Sequence, residues 1–217
     1  MEESQSIFQR PPRGTRGPTP GHSREEIVAV AIALADADGL GAVSMRAVAA
    51  KLGTGAGSLY RYLSSRDDLL DLMADAAIGD LRPYPEAADP IDALVLLAQR
   101  QLTVYKRHAW LLEAVQQTKG FGPNGLAYFD HCIGVLAPVR RPTTAKFEAV
   151  AMITGVVSLF ARPQPEGLSF AAVDFSRYKN LATAIAEASS GALQAPEDVP
   201  DLFERTVRSL LSGLLRL

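Results

Sequence analysis

The stretch SMRAVAAKLGTGAGSLYRYL, residues 44–63, decides the fold. Ser44 stands ahead of Val48, Ala49 and Leu52, apolar positions at helical spacing, so it reads as the N-cap of a short helix that Gly53 stops. Gly53 to Gly55 makes a turn, and a second short helical segment runs from Ala56 to Leu63, carrying Leu59, Tyr60 and Tyr62. Two short helices joined by a tight glycine turn form a helix-turn-helix when a longer helix braces them. The preceding residues supply that helix. Ser23 with Glu26 has the form of a capping box, Ile27, Val30, Ala31, Leu34 and Ala35 recur at helical spacing, and Gly39 closes the run. Downstream, Ser64 or Ser65 caps a fourth helix, whose Asp67 and Asp68 favour the positive end of its dipole before Leu69, Leu70, Leu72 and Met73.

The pattern stays helical to the end. Pro83, Pro85 and Pro90 mark a boundary, after which helices are expected over about 90–108, a short piece at 110–115, a helix ending near Pro138, and others over about 143–160, 170–189 and 201–217. Sustained period-2 alternation and internal repeats are both missing, so the expected class is all-α. The expected organisation is a disordered basic arm over 1–22, rich in proline and glycine, a three-helix helix-turn-helix domain over 23–80, and a second helical domain over 81–217.

Charge agrees with a DNA-binding head. The formal net charge is -2, yet up to residue 66 there are eight basic against six acidic residues, and beyond it fourteen against eighteen. The single cysteine, Cys132, excludes an internal disulfide framework and lies in an apolar stretch, as a buried inert thiol does. The N-terminus lacks a signal-peptide core and no uninterrupted apolar run reaches the ~18 residues of a membrane span, so a cytoplasmic protein without a membrane partner is expected. Nucleophile–base constellations, phosphate-cradling glycine loops and metal-ligand clusters are not evident, so no enzyme, cofactor or metal site is expected.

Residues 25–72 resemble the DNA-binding domain of the TetR family of regulators. The resemblance rests on Ala33, Asp38-Gly39, Ser44-Met45-Arg46-Ala47-Val48-Ala49, Leu52-Gly53, Ser58-Leu59-Tyr60-Arg61-Tyr62-Leu63 and Arg66-Asp67-Asp68-Leu69-Leu70. It implies that Ser44 and Arg46 contact phosphates and a base edge, that Thr54, Ala56, Gly57 and Ser58 lie where the recognition helix meets the groove, and that Tyr60 and Arg66 reach phosphates. Hydroxyls, arginines and helix N-termini are the usual phosphate ligands. Two alternatives stay open here: Tyr60 as a core aromatic, and Arg61 as a solvated charge rather than a DNA contact. Arg10, Arg13 and Arg16 either enter a minor groove or form a solubilising tail. Gly55, Ala56 and Gly57 depart from the family's larger or polar residues, which leaves Arg46, Thr54 and Ser58 to read bases and DNA shape to supply the remaining selectivity.

The second domain resembles the tetracycline-repressor-like C-terminal domain, through Tyr105 to Ala127 with His108-Ala109-Trp110 and Gly122-Pro123-Asn124-Gly125. The resemblance implies that residues 81–217 are a ligand-binding and dimerisation domain, with a homodimer on palindromic double-stranded operator DNA, a repressor's output, and release by a small apolar or aromatic effector. The alternative is a regulator whose second domain answers to a protein partner or to no ligand. Tyr105, His108, Trp110, Gln116, Phe121, Asn124, Tyr128, His131, Phe147, Phe175 and Tyr178 are the candidate cavity residues. Buried, hydrogen-bonded histidines are expected at 108 and 131 rather than a metal site. Dimer contacts are expected from Val150, Ile153, Val157, Leu159 and Phe160, and from Phe203, Val207, Leu210, Leu211, Leu214 and Leu215.

Overall fold

Capping chemistry sets where the first helices begin. In the computed structural model, which describes residues 6–10, 21–118, 120–162, 177–189 and 201–215, Ser23 Oγ accepts the Glu26 N–H at 3.0 Å and the Glu26 carboxylate accepts the Ser23 N–H at 3.0 Å. The capping box is complete and α1 runs Arg24–Asp38, ended by Gly39 at φ 79°. Ser44 caps α2 (Met45–Lys51) through the Ala47 N–H, and Ser65 rather than Ser64 caps α4 (Arg66–Gly79) through the Asp68 N–H. Between them α3 is one turn, Ala56–Leu59, shorter than the expected Ala56–Leu63. Gly55 and Gly57 weaken helix propensity there, and residues 60–62 continue as turns.

Six further helices follow: α5 (Pro90–Arg107), α6 (Leu111–Gln117), α7 (Pro123–Val135), α8 (Thr143–Ala161), α9 (Lys179–Ser189) and α10 (Leu202–Leu215). No strand occurs among the described residues, and the protein is all-α as expected. The helix expected over 170–189 is seen from Lys179, its earlier part lying outside the described residues. Helix α1 packs on α2 and α4, while α4 packs in turn on α6 and α7, so α4 is shared between the helix-turn-helix and the second domain. Helices α5, α8 and α10 pack together as a second layer.

Residues 6–10 depart from the sequence reading. Instead of a disordered arm, Ile7–Gln9 form a 3-10 turn against α4, with Ile7 only 2% exposed. Arg10 donates to both carboxylate oxygens of Asp68 at 2.9 and 3.1 Å and to Ser64 Oγ at 2.8 Å, and its carbonyl accepts from Arg24 Nη1 at 3.1 Å. Arg10 is therefore tied to the head rather than extended from it. Two apolar residues, Ile7 and Phe8, make no periodic pattern, so composition alone passes over them. Arg13 and Arg16 lie outside the described residues.

Helix α8 requires a second correction. Over 18 residues its mean hydropathy reaches 1.4, long and apolar enough to cross a membrane by length and composition. Lys146 and Glu148 interrupt the run, which hides it from a search for unbroken apolar sequence. In the fold α8 packs on α5 and α10, with Val150, Ile153 and Val157 buried.

Gly122, which precedes α7, has no room for a side chain: a Cβ there would overlap the Asp75 carboxyl and the Phe8 ring. Gly122→Ala is expected to lower stability by about 1–3 kcal/mol, the usual cost of overpacking, in a urea unfolding titration. Gly134→Ala, whose added methyl meets nothing within 4 Å, should leave stability unchanged or raise it.

Candidate DNA-binding face and ligand cavity

The α2–turn–α3 unit turns most of its polar side chains outward. Ser44, Arg46, Gly57, Tyr60 and Arg61 are exposed, Tyr60 at 49%, while Leu59 beside it is fully buried. Tyr60 is thus a surface aromatic, not a core one. Lys51, exposed at the end of α2, joins this set although the sequence reading passed over it. Thr54, Ala56 and Ser58 are half-buried. Ser58 Oγ donates to the Gly55 carbonyl at 2.7 Å, and Thr54 Oγ1 lies 2.8 Å from Ser58 Oγ. A hydroxyl has one proton. With Ser58's directed to a carbonyl, Thr54 donates to Ser58, and both side chains offer only lone pairs outward.

Arg66 differs from its expected role. Its Nε donates to the Val43 carbonyl at 2.9 Å and its Nη2 to the Leu40 carbonyl at 3.1 Å, so the guanidinium grips the link between α1 and α2 instead of facing outward. Those carbonyls flank a 3-10 turn, Leu40–Ala42, ahead of α2. An arginine fork supplies the donors such a link needs.

A cavity of about 520 Å³ lies between α4, α5, α6, α7 and α8. Of the expected residues Tyr105, Phe121 and Tyr128 line it. His108, Trp110, Gln116, Asn124, His131, Phe147 and Tyr178 do not. Gln116, Phe147 and Tyr178 are exposed. His131 stacks on Tyr84 with ring centroids 4.3 Å apart. Asn124 bonds the Asp75 backbone and carboxylate from the far side of α4, where a second hollow of about 400 Å³ lies. Phe175 lies outside the described residues. The wall includes residues the sequence reading missed: Asp71, Ala74, Asp75 and Ile78 on α4, Gln101 on α5, Phe129 on α7 and Thr154 on α8. A signal for the α4 group was present, because Asp71 and Asp75 are acids one turn apart within the otherwise apolar stretch 69–78.

His108 and Trp110 instead build a link between domains. His108 Nδ1 lies 2.7 Å from Asp36 Oδ1, and Trp110 Nε1 donates to the same oxygen at 2.6 Å. His108 Nε2 faces Asp80 Oδ2 at 3.7 Å, and Arg107 donates to that oxygen at 3.3 Å. Asp36 is near the end of α1, so the α5–α6 junction holds the bracing helix directly.

A helix-turn-helix head with an exposed basic and hydroxyl face, carried on an all-helical domain around a cavity, defines a class of DNA-binding regulator. Residues 27–73 match the family described as bacterial regulatory proteins, tetR family, and residues 82–217 match that described as tetracyclin repressor-like, C-terminal domain. The chain belongs to the TetR family of transcription regulators. It is 38% identical over 157 residues to the HTH-type transcriptional repressor DrrR1 of Streptomyces coeruleorubidus, a match covering 70% of this chain and 57% of that protein. It is 32% identical over 133 residues to an HTH-type transcriptional regulator of Saccharopolyspora erythraea, covering 61% of this chain and 56% of that protein. The matches thus span a little over half the length of these curated relatives. ActR of Streptomyces coelicolor in complex with (S)-DNPA has a TM-score of 0.72 at 24% identity, covering 90% of this chain and 98% of ActR. The ActR complex with actinorhodin has the same TM-score of 0.72 at 23% identity, covering 90% of this chain and 97% of ActR, and these likenesses show the fold.

Burial governs titration around the cavity. It pushes the Cys132 thiol up to about 12 and raises the Tyr105 hydroxyl; it also holds Tyr128 well above the ordinary phenol value, with neighbouring Cys132 adding to the effect. Each group keeps its proton in the folded chain at a pH where the unfolded chain gives it up. Stability is therefore fully present below the thiol's ordinary value of 9.0 and is lost as pH rises from there. The urea midpoint is expected to fall between pH 9 and about 12, less steeply in Cys132→Ala. The same thiol should resist a disulfide reagent at pH 8 until denaturant is added.

Proposed function

We propose that the protein is a transcriptional repressor, acting in the cytoplasm, that binds palindromic operator DNA as a homodimer and releases it when a small aromatic effector fills the cavity. The observation that carries this reading is the double duty of α4. Its residues Asp71 to Ile78 wall the cavity, and its Arg66 holds the backbone that leads into α2. An effector that prefers a shifted α4 moves the DNA-binding unit, and weakens operator affinity by the coupling free energy between the two sites.

Phosphates are met by Ser44, Arg46, Tyr60 and Arg61, all exposed. Gly55 and Gly57 have ordinary φ values and nothing within 4 Å of an added Cβ. The protein's own packing does not require glycine at these positions; a duplex lying close against the backbone would.

The dimer face follows from a division within α8 and α10. Val150, Ile153, Val157, Phe203, Val207, Leu211 and Leu215, expected above as subunit contacts, are buried inside the chain. The outward side of α8 carries Met152, Gly155 and Leu159, with Leu159 60% exposed, and α10 exposes Leu202 and Gly213. Apolar and small residues on two adjoining helices suit a second copy, and a two-fold dimer presents two heads to a palindrome.

Fluorescence anisotropy with DNA from the protein's own promoter neighbourhood tests the reading, first alone and then against a panel of aromatic metabolites. No shift of any fragment at low salt, or a shift that no compound reverses, would overturn it. Arg46→Ala is expected to weaken operator binding about tenfold and to flatten the logarithmic salt dependence by roughly one unit. Gly57→Ala should separate stability from binding, raising the former by up to about 1 kcal/mol while weakening the latter.

A further inference from the structure

Residues 60–65, which join α3 to α4, form turns and bends rather than helix. They follow a helix of only four residues, Ala56–Leu59, with Gly55 ahead of it and Gly57 inside it. One helical turn fixes about six torsions for a single hydrogen bond, so a helix this short is unstable alone. Yet Tyr60 and Arg61, offered above as phosphate contacts, stand in this link, and contacts that set register need a fixed backbone.

Side chains from three other segments hold the link. Arg24 on α1 donates through Nε to the Tyr62 carbonyl at 3.0 Å, and through Nη1 to the Arg10 carbonyl at 3.1 Å. Arg10 in turn donates to the Ser64 hydroxyl at 2.8 Å and to both oxygens of the Asp68 carboxylate at 3.1 and 2.9 Å. Asp68 Oδ2 also accepts the Ser64 N–H at 2.7 Å. The bonds close a ring that runs from Tyr62 through Arg24, Arg10 and Asp68 back to Ser64, with buried Leu63 between its ends. Arg10 joins the two halves, taking Arg24 at its carbonyl and Asp68 at its guanidinium.

Apolar contacts keep Arg10 there. Ile7, three residues earlier, is buried in the core, and the 3-10 turn it opens packs on α4. The Phe8 ring reaches Gly122 at the start of α7. Moving Arg10 to a phosphate would strip the buried Asp68 carboxylate of its fork of donors, which is costly.

We infer that Arg10 is a positioning residue for DNA binding, holding the recognition turn in its binding pose through Arg24, Asp68 and Ser64 and making no contact with the duplex itself. This rests on the reading of the α2–turn–α3 face as the DNA interface. With the ring opened, the turn visits that pose for a smaller fraction of the time, and the apparent affinity falls by that fraction at every salt concentration. A lost phosphate contact behaves differently, because it also removes about one unit of logarithmic salt dependence.

Fluorescence anisotropy with operator DNA across a salt series separates the two. Arg10→Gln is expected to bind about tenfold more weakly with an unchanged salt slope. Arg10→Lys keeps a cation beside Asp68 but lacks the planar fork. It too should lose affinity several-fold, whereas a phosphate contact would survive in it. Asp68→Asn opens the ring from the other side: it should weaken binding, and the double variant should bind no more weakly than the weaker single. Amide exchange in the DNA-free variants should quicken more at Ser64 than at Ile153 in α8, which a general loss of stability would not produce. Unchanged affinity in Arg10→Gln, a slope flattened by about one unit, tighter binding in Asp68→Asn, or equal acceleration of exchange at both places would overturn the inference. Failure of the unaltered protein to bind any fragment sinks the DNA-binding reading instead, and the exchange comparison still decides whether Arg10 holds the turn.

Discussion

Arg66 and Asp75, nine residues apart on α4, satisfy backbone groups in two different parts of the molecule. Arg66 donates to the carbonyls of Leu40 and Val43 ahead of α2, and Asp75 accepts the N–H groups that open α7. At 1.5 Å per residue the two attachments are about 13 Å apart along one rigid helix. Neither can be lost cheaply, because each leaves backbone groups without partners. The head and the second domain are therefore joined by a strut with a grip at each end. The cavity wall occupies the stretch from Asp71 to Ile78, which overlaps the grip on α7.

A single strut would still let the head swivel. Asp36 removes that freedom by taking hydrogen bonds from His108 and Trp110 at the α5–α6 junction, so α1 has its own attachment to the second domain. Helix α6 begins at Leu111, and its Val115 lines the cavity. Two attachments to the head, through α1 and through α4, thus converge on the space where a ligand would sit. On the proposed reading, a guest that spread α4 from α6 would change both together and turn the head as a unit, since packed interfaces shift between discrete arrangements rather than stretching.

Local chemistry was legible in the sequence wherever it acts over three or four residues. The Ser23–Glu26 capping box, the Ser44 cap and the proline break before Pro90 all stand as read. Chemistry between distant segments was not. Arg66 looks the same in sequence whether its guanidinium faces a phosphate or two carbonyls more than twenty residues earlier. His108 and Trp110 look like cavity residues until Asp36, more than seventy residues away, is seen beneath them. Helix α8 misleads for another reason. It is apolar on more than one side, so periodicity marks it as buried without saying which side faces the chain's own core.

On the proposed DNA-binding reading, the recognition turn also explains how few bases it can interrogate. Thr54 and Ser58 direct their protons along the chain toward the Gly55 carbonyl. In the major groove their lone pairs can accept only from the exocyclic amines of adenine and cytosine. Phosphate oxygens are acceptors, so these hydroxyls cannot serve as backbone anchors while the chain of bonds stands. That task falls to Ser44, Arg46, Tyr60 and Arg61, whose phosphate contacts set register without reading sequence. A head built this way discriminates through the fit of its glycine-smooth turn to the groove, and groove width depends on sequence even where no base is touched.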